Sequence, residues 1–272
     1  MGNSYDGKIT KTAVRQQFTN KKIIMNINQK LASYYGSRWS ALCKALDANE
    51  LDTYEYNPLL LNINNFDDFE KADIKVMLFG QDMSAGDWYS YDRDKLLDEK
   101  GKLSPEIKTF DNKTGACNLD GKRQTRGMGG GMNLFIDRLN DKFKDKQVRY
   151  VWNDIAKIGR NIEGNEKKII LEDIENQYFD VVKDEINIIQ PQVIVFFTGP
   201  TAFWEIKLQK KLGISKANYN AITNWNNIRQ VALLDLDKEQ FPSVQYAFRT
   251  YHPCARASKK ARYDAIIENI KL

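Results

Sequence analysis

The sequence predicts an α/β protein, a three-layer α/β/α sandwich around a central, mainly parallel four-stranded sheet, and three observations carry that prediction. Four short runs rich in β-branched and aromatic residues end in polar or turn residues, helical periodicity lies between them, and glycine or proline marks the junctions. Strands that alternate with helices need crossover connections, and these lay helices over both faces of a parallel sheet.

The elements follow in chain order. The first 70 residues, with KKIIMNINQKLASYYGSRWSALCKAL at their centre, read as a mainly helical extension packed on the same domain, so residues 1–272 read as one domain. Ile74–Phe79 (IKVMLF) is the first strand. Met83–Gly131 has weak periodicity and several turn residues, and loops of that length commonly carry function. Val148–Trp152 (VRYVW) is the second strand. Within Ile174–Ile189 the apolar positions Ile174, Tyr178, Val181, Val182, Ile188 and Ile189 share one stripe of a 3.6-residue period, which predicts one helix closed by Pro191. Val193–Phe197 (VIVFF) is the third strand, after which Gly199-Pro200 opens a helix over TAFWEIKLQKKL with the proline near its first turn. Val231–Leu236 (VALLDL) suggests an extra edge strand, and Gln245–Thr250 (QYAFRT) is the fourth main strand. The last helix starts at Ser258 as N-cap and buries Tyr263, Ile266, Ile267 and Ile270.

Composition bounds the function. The 272 residues include 41 Lys and Arg against 36 Asp and Glu, a formal charge of +5, and 42% of them are apolar, enough to bury a sizeable core. No run approaches the roughly 18 apolar residues of a membrane span, and the start MGNSYDGKITKTAVRQQF has no apolar signal core, so a cytoplasmic protein with no membrane partner is expected. Cys43, Cys117 and Cys254 are far apart and cannot build a disulfide framework, a four-thiolate zinc site or an iron–sulfur site. His252 is the sole histidine, which excludes metal sites of two or three imidazoles, and no metal or cofactor is expected. Asp47–Glu70 holds seven acids and no Lys or Arg, whereas basic residues concentrate at Lys122, Arg123 and Arg126 and at Arg256, Lys259, Lys260 and Arg262.

Ligands of open parallel sheets bind beyond the carboxyl ends of the strands. Here those ends read Gly80-Gln81-Asp82, Asn153-Asp154, Thr198-Gly199-Pro200 and Tyr251-His252-Pro253. Asp82 or Asn153 alone is equally a turn or helix cap, and a lone histidine is more often structural. Together they suggest a chemistry. An ionised Asp can hold a water for attack on an electron-poor carbon, an Asn can pair with an amide-like edge, and an imidazole can stabilise an oxyanion on a leaving group. That describes hydrolysis of a glycosidic bond to a nucleobase, and unstacking a base from DNA needs backbone contacts to offset it. Lys259 and Lys260 stand in the first turn of the last helix, where cations oppose the helix dipole and a bound phosphate would relieve them.

These residues resemble the uracil-DNA glycosylase superfamily over roughly Ile74 to Leu272. The pieces are FGQD (Phe79–Asp82), YVWND (Tyr150–Asp154), IIQPQVIVFFTGPTAF (Ile188–Phe203) and YHPCARASKK (Tyr251–Lys260). The resemblance implies cofactor-free excision of uracil or a related damaged base from DNA, as in base-excision repair, by a monomer. It implies that Asp82 activates or orients water, Asn153 reads the uracil edge, Gln81 contributes its backbone to the pocket, and His252 stabilises the departing base as a neutral donor. Met83 and Ser84 stand where the family carries a proline and a tyrosine that blocks the thymine methyl, which leaves thymine discrimination open. Arg256, Ser258, Lys259, Lys260, Arg123 and Arg126 are the expected DNA contacts. A leucine wedge is absent from ARASKK, so two alternatives stand beside excision: nucleic-acid binding without catalysis on the same scaffold, and a different base or nucleoside as substrate.

Overall fold

A computed structural model describes residues 25–51, 57–63, 66–82, 93–104, 109–111, 127–159, 165–256 and 258–272. In chain order the elements are α1 (Ile27–Asp47), β1 (Leu60–Asn62), α2 (Phe66–Glu70), β2 (Ile74–Gly80), β3 (Thr109–Asp111), α3 (Gly127–Lys142), β4 (Val148–Asp154), α4 (Asn165–Tyr178), α5 (Val182–Ile189), β5 (Val193–Phe196), α6 (Ala202–Leu212), β6 (Tyr219–Asn220), β7 (Val231–Leu234), β8 (Tyr246–Thr250) and α7 (Lys259–Asn269).

The four hydrophobic runs become β2, β4, β5 and β8. They lie in the order β4-β2-β5-β8, every neighbouring pair parallel, and β7 and β6 extend the sheet antiparallel beyond β8. Among the described residues the sheet therefore has six strands, where four main strands and an extra edge strand were expected. VALLDL does form β7, but it is an inner strand, because Tyr219 and Asn220 pair with Leu234 and Leu233 outside it. A separate two-stranded parallel sheet joins β1 to β3.

Alternation along the strands sends side chains to two cores. Met77, Phe79, Val151, Ile194 and Phe196 face α1, α4, α5 and α6. Val76, Leu78, Tyr150, Trp152, Val195 and Phe248 face α3 and α7. Because both faces are covered, the strands read as continuous apolar runs. On the second face Phe135, Phe197 and Tyr263 meet edge to face with centroids 5.4 to 5.8 Å apart, each pair contributing about 0.5–1.5 kcal/mol beyond area burial. The N-terminal helix α1 packs against α4 and α5, and its start is fixed by a reciprocal pair: Gln29 N–H donates to Asn26 Oδ1 and Asn26 N–H donates to Gln29 Oε1, both at 2.9 Å.

Four further expectations need correction. Ile174–Ile189 is two helices, α4 and α5, because the chain leaves the helix at Phe179 to insert that ring against Tyr35 and Trp39. Pro200 lies before α6, whose N-cap is Thr201. Ser258 does stand at the start of α7, but in the left-handed region (φ 51°), and its side chain makes no capping bond. The last residues of the expected loop, Gly127–Gly131, already belong to α3. Among the described residues no helix is long and apolar enough to cross a membrane.

Candidate functional site

The parallel register brings all four motif-bearing strand ends to one edge. Phe79 lies opposite both Asn153 and Phe196, and Phe196 lies opposite Arg249, so Gly80-Gln81-Asp82, Thr198-Gly199 and Tyr251-His252 leave the sheet side by side. The exits are tied together. Gln81 Nε2 donates to the Thr198 carbonyl at 2.7 Å, Gly199 N–H donates to the Thr250 carbonyl at 2.9 Å, and Ala156 N–H donates to the Gln81 carbonyl at 3.0 Å. Gly199 turns with φ +73°, a conformation that favours glycine, and a Cβ placed there would lie 3.9 Å from the backbone nitrogen of His252 and 4.0 Å from Gln81 Nε2. Gln81 and His252, 171 positions apart in the chain, thus flank a single residue.

His252 is half-buried, and its Nδ1 accepts a hydrogen bond from Cys254 N–H at 3.3 Å. A ring that accepts at Nδ1 carries its proton on Nε2, which leaves Nε2–H free to donate outward. Burial, assisted by the charge of Lys259, lowers the His252 pKa, which favours this neutral tautomer. The turn that carries it is braced by α3: a Cβ on Gly131 would fall 2.4 Å from the Pro253 carbonyl oxygen. Gly131 therefore allows α3 to press against the His-Pro turn.

Asn153 is not at this edge in the expected way. It is fully buried, its Nδ2 donates to Glu185 Oε2 at 2.8 Å, and its Oδ1 accepts from Lys157 Nζ at 2.6 Å. Lys157 also pairs with Glu185 Oε1 at 2.9 Å, where Tyr35 donates its hydroxyl at 2.6 Å. Both ends of the Asn153 carboxamide are thus committed to a buried network on the α1/α5 face, and the role of reading a base edge does not fit the residue as placed.

Its neighbour Asp154 takes the other face. A Cβ on Gly80 would lie 2.3 Å from Asp154 Oδ1 and 2.4 Å from the Trp152 ring, so the carboxyl sits directly over the exit of β2. Asp154 is 1% exposed and neither carboxyl oxygen has a hydrogen-bond partner among the described residues. Burial pushes its pKa up to about 8, against the pull of Lys157 and with help from the charge of Asp82. Asp82 itself is half-buried beside it. Thr198, at the exit of β5, is also fully buried, with no partner for its hydroxyl.

Arg256, Ser258, Lys259 and Lys260 surround one open groove, with Leu134, Ala261 and Asp264 completing it. Asp264 is paired with Arg138 across α3 and α7. Met83, Ser84, Arg123 and Arg126 lie outside the described residues, as does Cys117. Among the described residues no group of three or more His, Cys, Asp or Glu side chains is arranged to hold a metal ion. The comparisons add no relative: no family model matches this chain and no curated protein matches it.

Proposed function

We propose that this protein hydrolyses the N-glycosidic bond of uracil, or of a related damaged base, in DNA, on a single-domain scaffold of the uracil-DNA glycosylase kind. The observation that carries the reading is the convergence of Gln81-Asp82 and His252, at the exits of β2 and β8 on either side of the β5 exit, with a groove bearing Arg256, Lys259 and Lys260 following His252 in the chain. In this reading Asp82 orients a water toward the anomeric carbon and takes its proton, the water oxygen bonds to that carbon, and the base leaves with the electron pair of the broken C–N bond. His252 Nε2–H donates to the oxyanion that develops on the base, which a neutral imidazole does without bearing a full charge. The basic groove takes the phosphates of the flanking strand and offsets the few kcal/mol of unstacking.

The commitment of Asn153 to Lys157 and Glu185 favours a second reading, a nucleic-acid-binding protein without base removal. One experiment separates them. Single- and double-stranded oligonucleotides containing one uracil are incubated with the protein and treated with alkali. Strand scission that Asp82→Asn abolishes, with DNA binding retained, supports hydrolysis. Binding without scission by the unaltered protein supports the second reading.

A further inference from the structure

We propose that Asp154 is the specificity-determining residue of this site, its carboxyl meeting the edge of a nucleobase that presents one hydrogen-bond donor beside one acceptor. The proposal rests on the reading of the site as a base pocket and names the group that reads the base. Three observations carry it. The carboxyl is pinned over the β2 exit, where any side chain on Gly80 would strike it, so it belongs to the same edge as Gln81 and Asp82. It is 1% exposed with both oxygens unpartnered among the described residues, whereas the other β4-end polar side chain, Asn153, is bonded at both its oxygen and its nitrogen. A second orphan, the Thr198 hydroxyl, lies at the adjacent strand exit. Buried polar groups are almost always paired, and unpaired ones gathered at one edge point to a ligand that pairs them.

The chemistry of the group defines the ligand. The charged groups acting on Asp154 are Lys157, already held by Asn153 and Glu185, and Asp82, whose negative charge disfavours a second one. Near neutrality the carboxyl keeps its proton, because its pKa is pushed up to about 8. A neutral carboxylic acid offers one O–H donor and one carbonyl acceptor, the same pair that a carboxamide offers. It therefore complements the N–H and C=O of a lactam edge such as that of uracil or hypoxanthine. Because the proton can sit on either oxygen, it also accepts the amidine edge of cytosine, which makes it a more tolerant reader than a carboxamide fixed by its neighbours. Ionisation leaves two acceptors and repels the base carbonyl.

The test measures binding of free uracil by calorimetry at pH 7 and pH 9, to the unaltered protein and to Asp154→Asn and Asp154→Leu. For a group that titrates near pH 8, uracil affinity of the unaltered protein falls about tenfold between these values. Asp154→Asn binds uracil at both and shows no comparable fall, whereas Asp154→Leu, similar in volume, does not bind. His252 titrates below this window, since its pKa is lowered. If the Asn variant has the same pH dependence as the unaltered protein, the proposal is overturned, even when uracil-containing DNA is still cleaved. If the unaltered protein binds uracil with the expected dependence yet yields no abasic product, the proposal stands and the excision reading fails. Absence of uracil binding at both pH values overturns the proposal, and the scission assay then decides the excision reading by itself.

Discussion

Residues 153 and 154 are adjacent in the chain and opposite in circumstance. Asn153 enters a buried cluster in which its carboxamide, the Lys157 ammonium, the Glu185 carboxylate and the Tyr35 hydroxyl satisfy one another over 2.6 to 2.9 Å. That cluster continues through the Lys157 N–H to Glu175, which burial alone would push up in pKa but which Lys207 and Lys211 hold down at about 2. Asp154 enters a region just as dry, where neither of its oxygens meets a donor. Satisfied buried charge fixes a fold, whereas unsatisfied buried polarity stores readiness for a ligand. Polar residues at one strand end thus divide between architecture and chemistry according to the face each occupies.

The largest effect that separates the two regions is expected at Asp82. On the proposed excision reading, its change to Asn removes the group that orients water and lowers the rate of abasic-product formation by about 10²–10⁴ in single turnover, while thermal stability stays close to the starting value. In the satisfied cluster the signature reverses. Lys157→Met leaves Glu185 buried with its strongest partner gone and lowers unfolding free energy by about 3–5 kcal/mol in urea titration, and Lys157→Met combined with Glu185→Leu recovers much of that loss.

Asp154→Asn sharpens the contrast through pH. The folded-state pKa, about 8, lies above that of an unfolded aspartate, about 3.9, so the native protein holds the extra proton between those values and loses stability as pH rises through that window. The Asn variant lacks that loss. It gains on the unaltered protein by an amount that grows to the order of a few kcal/mol by pH 8. The smallest effect is expected at the groove rim. Lys259→Gln reduces the log–log salt slope of DNA binding by about 1 and raises the His252 pKa toward its ordinary value. Because the chain has one histidine, a single imidazole signal in an NMR titration reports that shift without assignment.

The main strands were legible because each carries a distinctive apolar run, and their parallel order followed from alternation with helices. The meeting of Gln81 with the His252 turn followed from the same logic. The split between α4 and α5 was not legible: no glycine or proline marks Phe179-Asp180-Val181, and both helices press the same sheet face, so the apolar stripe runs on across the break. Nor was the contrast between a bonded Asn153 and an unbonded Asp154. Side-chain parity along a strand shows only when one face is polar, and in β4 both Val151 and Trp152 are buried, on opposite faces. Of the two added strands, β7 was legible as VALLDL but not as an inner strand, because β6, which covers it, is only two residues long.

The hydrogen that serves Gly80 as a side chain has a consequence for how this protein can vary. A methyl group there would demand the volume now held by the Asp154 carboxyl and the Trp152 indole, and backbone pairing on both sides gives β2 little latitude to retreat. Residues 80 and 154 are therefore locked as a couple. Any lineage or library that enlarges the first must shrink or redirect the second, and the acid would vanish from the edge of the sheet together with the glycine.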